Sequence, residues 1–220
     1  QFRWRIYSMG GFHMKKALLI NGSPHREGCT FTALAELQKA LDGAGVAGDL
    51  LWLGTKPMQD CTSCGRCEAT GLCVFGDQVN EVLDQLDDYG AIVAGSPVYY
   101  SGATGRLCSF LDRLFYAGGD RMAGKLGAAV VSCRRGGSTA SFERLNQYFL
   151  ISNMFVVGSQ YWNQVHGFTP DDVRQDAEGL QTMRTLGVNM AWMLRSIEAG
   201  QKAGIPAPAY EEHVWTHFIG

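Results

Sequence analysis

Four cysteines stand close together in CTSCGRCEATGLC: Cys61, Cys64, Cys67 and Cys73, with the spacing C-x2-C-x2-C-x5-C. Thiolates are soft ligands for iron–sulfur clusters and for zinc. A C-x2-C pair is also the spacing of a redox-active dithiol. Structural zinc sites usually set two such pairs further apart, so three consecutive two-residue gaps suit zinc less well. Four unligated thiols packed as small apolar side chains are the remaining reading. The chain has seven cysteines in 220 residues. An odd count in a chain of this length implies reduced thiols or metal ligands, and a cytoplasmic location, over a disulfide framework.

Three other segments carry unusual chemistry. NGSPHREGCT (21–30) supplies the hydroxyls of Ser23 and Thr30, with Gly22 and Gly28 letting the backbone come close to a ligand. A helix that starts near Thr30 points its free N–H groups into this loop, which favours an anion. The segment is not G-x-G-x-x-G and has no Walker lysine. It therefore suits a monophosphate ester better than a dinucleotide or a triphosphate; an ordinary capped turn is the alternative. SPVYYSGATG (96–105) sets Tyr99 and Tyr100 among small residues, where they can flank a flat ring or simply pack. SCRRGGST (132–139) combines Arg134 and Arg135 with Gly136 and Gly137. The arginines can bind phosphate or stay solvated, and the glycines permit unusual backbone angles.

The elements that must position these segments alternate. KALLIN (16–21), DLLWLG (49–54), AIVAGSP (91–97), GAAVVSC (127–133) and MFVVGSQYW (154–162) are short apolar runs that predict buried strands. Helical spacing predicts helices from Thr30, over DQVNEVLDQLDDYG, over 105–118, over 141–152 and from about Asp176 to Ala199. Apolar strands separated by single helices imply a parallel sheet covered on both faces. In such a sheet ligands bind beyond the carboxyl ends of the strands, where the three loops lie. A phosphate pocket, a ring platform and a glycine-rich wall together suit a mononucleotide with a large planar ring, namely FMN. At 46% hydrophobic and 18% charged, the chain suits one sizeable core over residues 14–220, ending in a helix and tail. Residues 1–13 are set aside as an N-terminal extension without signal-peptide features, Met14 being an alternative start. A net charge of −2 with no basic block excludes nucleic acid as a natural partner, and no apolar run suggests a membrane span.

NGSPHREGCT, CTSCGRCEATGLC, SPVYYSGATGRLCSFLDR and GSQYWNQVHG together resemble the NAD(P)H-dependent FMN reductases and, more narrowly, the iron–sulfur flavoproteins of the flavodoxin-like superfamily. The resemblance covers roughly residues 15–200. It implies a three-layer α/β/α flavodoxin-like fold, a five-stranded parallel sheet of order 2-1-3-4-5, non-covalent FMN, and a homodimer or homotetramer. By position, Ser23, His25, Cys29 and Thr30 would line the phosphate site. Pro97, Val98, Tyr99, Tyr100 and Ser101 would border the flavin ring. Cys133, Arg134, Gly136 and Gly137 would close the other side.

The cysteine run also resembles the compact run of bacterial ferredoxins, which differs in having x3 before its last Cys and a proline after it. A four-iron–four-sulfur cluster on Cys61, Cys64, Cys67 and Cys73 is thus one expectation; zinc, a redox pair and empty thiols remain the others. The implied activity is transfer of hydride from NAD(P)H to FMN, then of electrons to a flavin, quinone, metal ion or protein partner. The chemistry belongs to the flavin, so no residue is named as catalytic. The alternative is an electron carrier between proteins with little NAD(P)H turnover.

Overall fold

The computed structural model describes residues 14–218. The N-terminal extension set aside above lies outside the described residues. Three long strands form the middle of the sheet: β1 (Lys16–Asn21), β3 (Tyr89–Pro97) and β4 (Leu126–Cys133). β2 (Gly48–Trp52) pairs with β1 at one edge, β5 (Phe155–Val156) lies at the other, and the parallel order is β2-β1-β3-β4-β5, as the resemblance implies.

Side chains alternate across each strand, so each central strand feeds two cores. Leu18, Ile20, Ile92, Ala94, Ala129 and Val131 face α3 (Gln78–Asp84), α4 (Gly105–Gly118) and α5 (Ser138–Ile151). Ala17, Leu19, Ala91, Val93, Ala128 and Val130 face α1 (Cys29–Gly43) and α7 (Ala177–Lys202). This double burial explains why the strands read as continuous apolar runs.

The fifth strand differs from expectation. The run 154–162 is not one strand: β5 is Phe155–Val156, and a sixth strand, β6 (Gln164–His166), pairs with the other half of β4. Between them the chain leaves the sheet. Ser159 Oγ lies 2.7 Å from both the Tyr161 carbonyl and Asn163 Oδ1 and shares its one proton between them, and this turn carries Tyr161 and Trp162 outward. The helix expected to run to Gly90 also ends early. Asp77 caps α3 by accepting from Val79 N, and after Asp84 the chain tightens into a 3-10 turn at Leu86–Asp88. Lys125 Nζ then donates to the Leu86 and Tyr89 carbonyls at 2.9 and 2.6 Å, closing that end. Two helices are too short for periodicity to show: α2 (Arg66–Thr70), and α6 (Pro170–Gln175), which starts in a Thr169–Asp172 capping box. Among the described residues no helix is long and apolar enough to cross a membrane.

Candidate functional site

The loop after β1 is folded by its own polar groups. Buried Asn21 accepts from Ser23 N at 3.0 Å and donates to the Arg26 carbonyl at 3.1 Å. Ser23 Oγ accepts from His25 N at 3.1 Å, and Trp52 Nε1 donates to the Ser23 carbonyl at 2.8 Å. Gly22 is required by close packing: a Cβ there would lie 2.7 Å from Leu107 Cβ. α1 then begins without a side-chain cap, at Gly28, and with no acidic residue in its first turn. Its first N–H groups and positive dipole end are left for an anion. Cys29 opens this helix, and burial pushes its thiol up, so it stays neutral near pH 7.

The other loops meet this one at the same end of the sheet. Thr30 and Ser132 hydroxyls lie 2.8 Å apart, both buried, joining α1 to β4. Thr104 Oγ1 donates to the Gly22 carbonyl at 2.8 Å, and Val98 N donates to the Ser132 carbonyl at 3.0 Å. After Pro97 the chain makes a tight hairpin: Tyr99 and Gly102 exchange backbone bonds of 2.8 and 2.9 Å. Its central residues, Tyr100 and Ser101, have φ of +50° and +60°. That is the geometry of a two-residue primed turn, usually given to Asn or Gly. A bulky tyrosine there costs backbone strain, a pattern that clusters at functional sites. The Tyr100 ring is fully exposed and Tyr99 about half so, which places neither in the core.

The loop after β4 closes against this hairpin. Cys133 is buried, its thiol pushed up by burial, while Arg134 and Gly136 are exposed. Gly137 has φ +88°, and a Cβ on it would lie 2.9 Å from both Ser101 Oγ and Val98 Cγ1. Gly137→Val therefore combines left-handed strain of roughly 1–2 kcal/mol with a collision. The melting temperature should fall by at least roughly 3–6 °C; a circular-dichroism melt within a degree of wild type would show that this loop yields freely.

The thirteen-residue cysteine run folds elsewhere, over the face of α3 and α4. All four cysteines line one solvent-open pocket, backed by Phe75, Arg113 and Tyr116. Gly65 and Gly71, both left-handed, bound α2 and present Cys67. Burial pushes the Cys67 thiol up, and the neighbouring thiols of Cys61, Cys64 and Cys73 add to the rise. Cys73 is the most firmly held: its N donates to Asn80 Oδ1 and its carbonyl accepts from Asn80 Nδ2, both at 2.8 Å. Among the described residues no three thiols, imidazoles or carboxylates converge at single-ion spacing. Asn80, Trp52, Thr104, Ser132 and Arg113 are structural partners that sequence spacing did not single out. Only the polar residue types inside apolar helices, as in SFLDRLF, marked any of them.

A parallel sheet of this order, with ligand-type loops gathered at its carboxyl end, defines a flavodoxin-like protein. Residues 15–169 match the NADPH-dependent FMN reductase family, and the chain belongs to it. The chain is 31% identical over 191 residues to an iron–sulfur flavoprotein of Methanocaldococcus jannaschii, covering 83% of this chain and 99% of the relative. A flavone reductase structure superposes with a TM-score of 0.66 at 18% identity, covering 83% of this chain and 64% of that one. A flavodoxin from the Archaea superposes with a TM-score of 0.57 at 16% identity, covering 82% and 99% respectively. At these identities the two structures bear on the fold alone.

Proposed function

We propose that the chain is a flavin-dependent oxidoreductase that holds FMN at the carboxyl end of its sheet, takes hydride from NAD(P)H, and passes electrons to a flavin, quinone or other acceptor. The observation that carries this is the uncapped, acid-free start of α1 facing the loop of Ser23 and His25, with the Tyr99–Tyr100 hairpin and the Gly137 loop beside it. FMN, when bound, supplies acceptance of a hydride and its release as single electrons.

The chain's own residues bind and orient. Ser23, His25, Cys29 and Thr30 surround the phosphate, Thr30 through its backbone N–H because its hydroxyl is engaged with Ser132. Pro97, Val98, Tyr99, Tyr100 and Ser101 border the ring on one side, and Cys133, Arg134, Gly136 and Gly137 on the other. Apart from the exposed Arg134, whose guanidinium carries a unit charge, the groups beside the ring are backbone N–H groups and uncharged side chains. The neutral Cys29 and Cys133 thiols add no charge either.

The four-cysteine pocket supports a four-iron–four-sulfur cluster on Cys61, Cys64, Cys67 and Cys73. A single zinc needs four donors about 2.3 Å from one point. A cubane has an iron at each of four corners, so its thiolates stand apart around one space. Four soft thiols lining one pocket fit the second pattern in donor chemistry. The same pocket favours the second reading, an electron carrier. Protein purified without oxygen should be yellow-brown and should oxidise NADH or NADPH catalytically. The same colour without nicotinamide turnover selects the carrier, and colourless protein that takes up no FMN overturns both.

Tyr100 gives a local test. Its ring packs against nothing in the core, so Tyr100→Ala should leave the melting temperature near wild type. Loss of an aromatic contact of about 1 kcal/mol should weaken FMN roughly fivefold. Unchanged FMN affinity by fluorescence titration would remove Tyr100 from the site.

A further inference from the structure

One buried charge serves neither the apolar core nor the flavin loops. Arg113 lies on the inner face of α4 and is only 1% exposed. Its Nη1 and Nη2 donate to Asp77 Oδ2 and Oδ1 at 2.8 and 2.7 Å, and Nη1 also donates to the Gln59 carbonyl at 3.2 Å. The third edge of the guanidinium faces the cysteine pocket: Nε donates to Cys73 Sγ at 3.1 Å. The Phe75 ring, 5.0 Å from the guanidinium carbon, covers its face.

Burying a guanidinium is costly, and an apolar side chain of similar volume commonly serves packing as well or better. The placement therefore asks for a use at the sulfur. Asp77 neutralises part of the charge from the rim, where it is 37% exposed and water screens it. Among the described residues no carboxylate pairs with the guanidinium on the side towards Cys73. Cys73 is already fixed through its backbone by Asn80, so the N–H···S bond is not needed merely to keep the residue in place.

We infer that Arg113 is a positioning and tuning residue for the cysteine site: it aims Cys73 Sγ into the pocket and, by one N–H···S bond and its charge, raises the reduction potential of the cluster held there. This rests on the four-cysteine reading given above. Reduction adds negative charge to a cluster and its ligand sulfurs, so a donor and a cation at one sulfur stabilise the reduced form.

The test compares Arg113→Gln with Asp77→Asn in protein made and reconstituted without oxygen, by iron and sulfide analysis and a redox titration of the iron–sulfur signal. Arg113→Gln should keep iron and sulfide near wild type, because Asn80 still holds Cys73. Its midpoint should fall by a tenfold change in the equilibrium, which is 59 mV for one electron. Asp77→Asn keeps the α3 cap and removes the opposing charge, so its midpoint should rise. If Arg113 only anchors the loop, both variants lose cluster together and neither midpoint moves in this way, which overturns the inference. Should Arg113→Gln fail to fold, a midpoint in Asp77→Asn that falls or stays put overturns it equally. Wild-type protein without iron removes the cluster reading itself, and the inference with it; wild type with a cluster but no shift in Arg113→Gln removes the inference alone.

Discussion

The Cys29→Asp variant should still fold and should not retain FMN. Cys29 opens α1, where the first turn carries no acid and the preceding Gly28 offers no side-chain cap. A carboxylate at a helix N-terminus is favourable by about 0.3–1 kcal/mol. Nearby Asp172, which already pushes the Cys29 thiol up after burial has done so, offsets some of that gain. For the ligand the sign reverses. A carboxylate and a phosphate competing for the same N–H groups repel by about 4 kcal/mol at 4 Å in an effective dielectric of 20. FMN affinity should drop at least a hundredfold, while Cys29→Ser, which adds no charge, stays within a few-fold of wild type. Fluorescence titration of apoprotein reads the affinity and a thermal melt reads the fold. A Cys29→Asp protein that binds FMN within threefold of wild type would mean that the phosphate does not sit at the start of α1.

The sheet was legible because its information is local. The alternation of KALLIN, AIVAGSP and GAAVVSC with amphipathic helices allows few arrangements, and the strand order follows from the resemblance. Legibility failed where tertiary hydrogen bonds override apolar content. MFVVGSQYW has the composition of a strand, but Ser159 ties itself to Asn163 and takes the middle of the run out of the sheet. The loops of the candidate site were visible as sequence, whereas the bonds that gather them were not. Thr30 with Ser132, Thr104 with Gly22 and Val98 with Ser132 link residues far apart in the chain. Arg113 was hidden for a related reason. In LCSFLDRLF it looks like a solvated charge on an amphipathic helix, and only the packing of α3 against α4 shows that it points inward.

Cys64→Ser should remove iron and sulfide together and leave FMN in place. Of the four cysteines Cys64 is the exposed one, so its replacement disturbs no core contact. A serine hydroxyl is a poor ligand for a soft iron–sulfur core, and three remaining thiolates leave one corner of a cubane open to water. The loops proposed to hold the flavin should not notice the loss. They meet α4 at its capping end, where Thr104 bonds Gly22, while the cysteine pocket reaches Arg113, Tyr116 and Ala117. The rise of an α-helix puts about 12 Å between Gly105 and Arg113 and about 18 Å between Gly105 and Ala117. The variant should therefore elute yellow, without the broad brown absorption, and with FMN stoichiometry equal to the wild type's. It should also separate the two readings of the activity. Electrons that leave the flavin directly for a small acceptor do not need the cysteines, so NAD(P)H oxidation with free flavin or quinone would persist. Electrons that leave through the cluster would stop at the flavin, and turnover with a protein acceptor would collapse. If anaerobic wild-type protein holds no iron and Cys64→Ser matches it in colour and rate, the four thiols are packing residues and the chain is a plain FMN reductase.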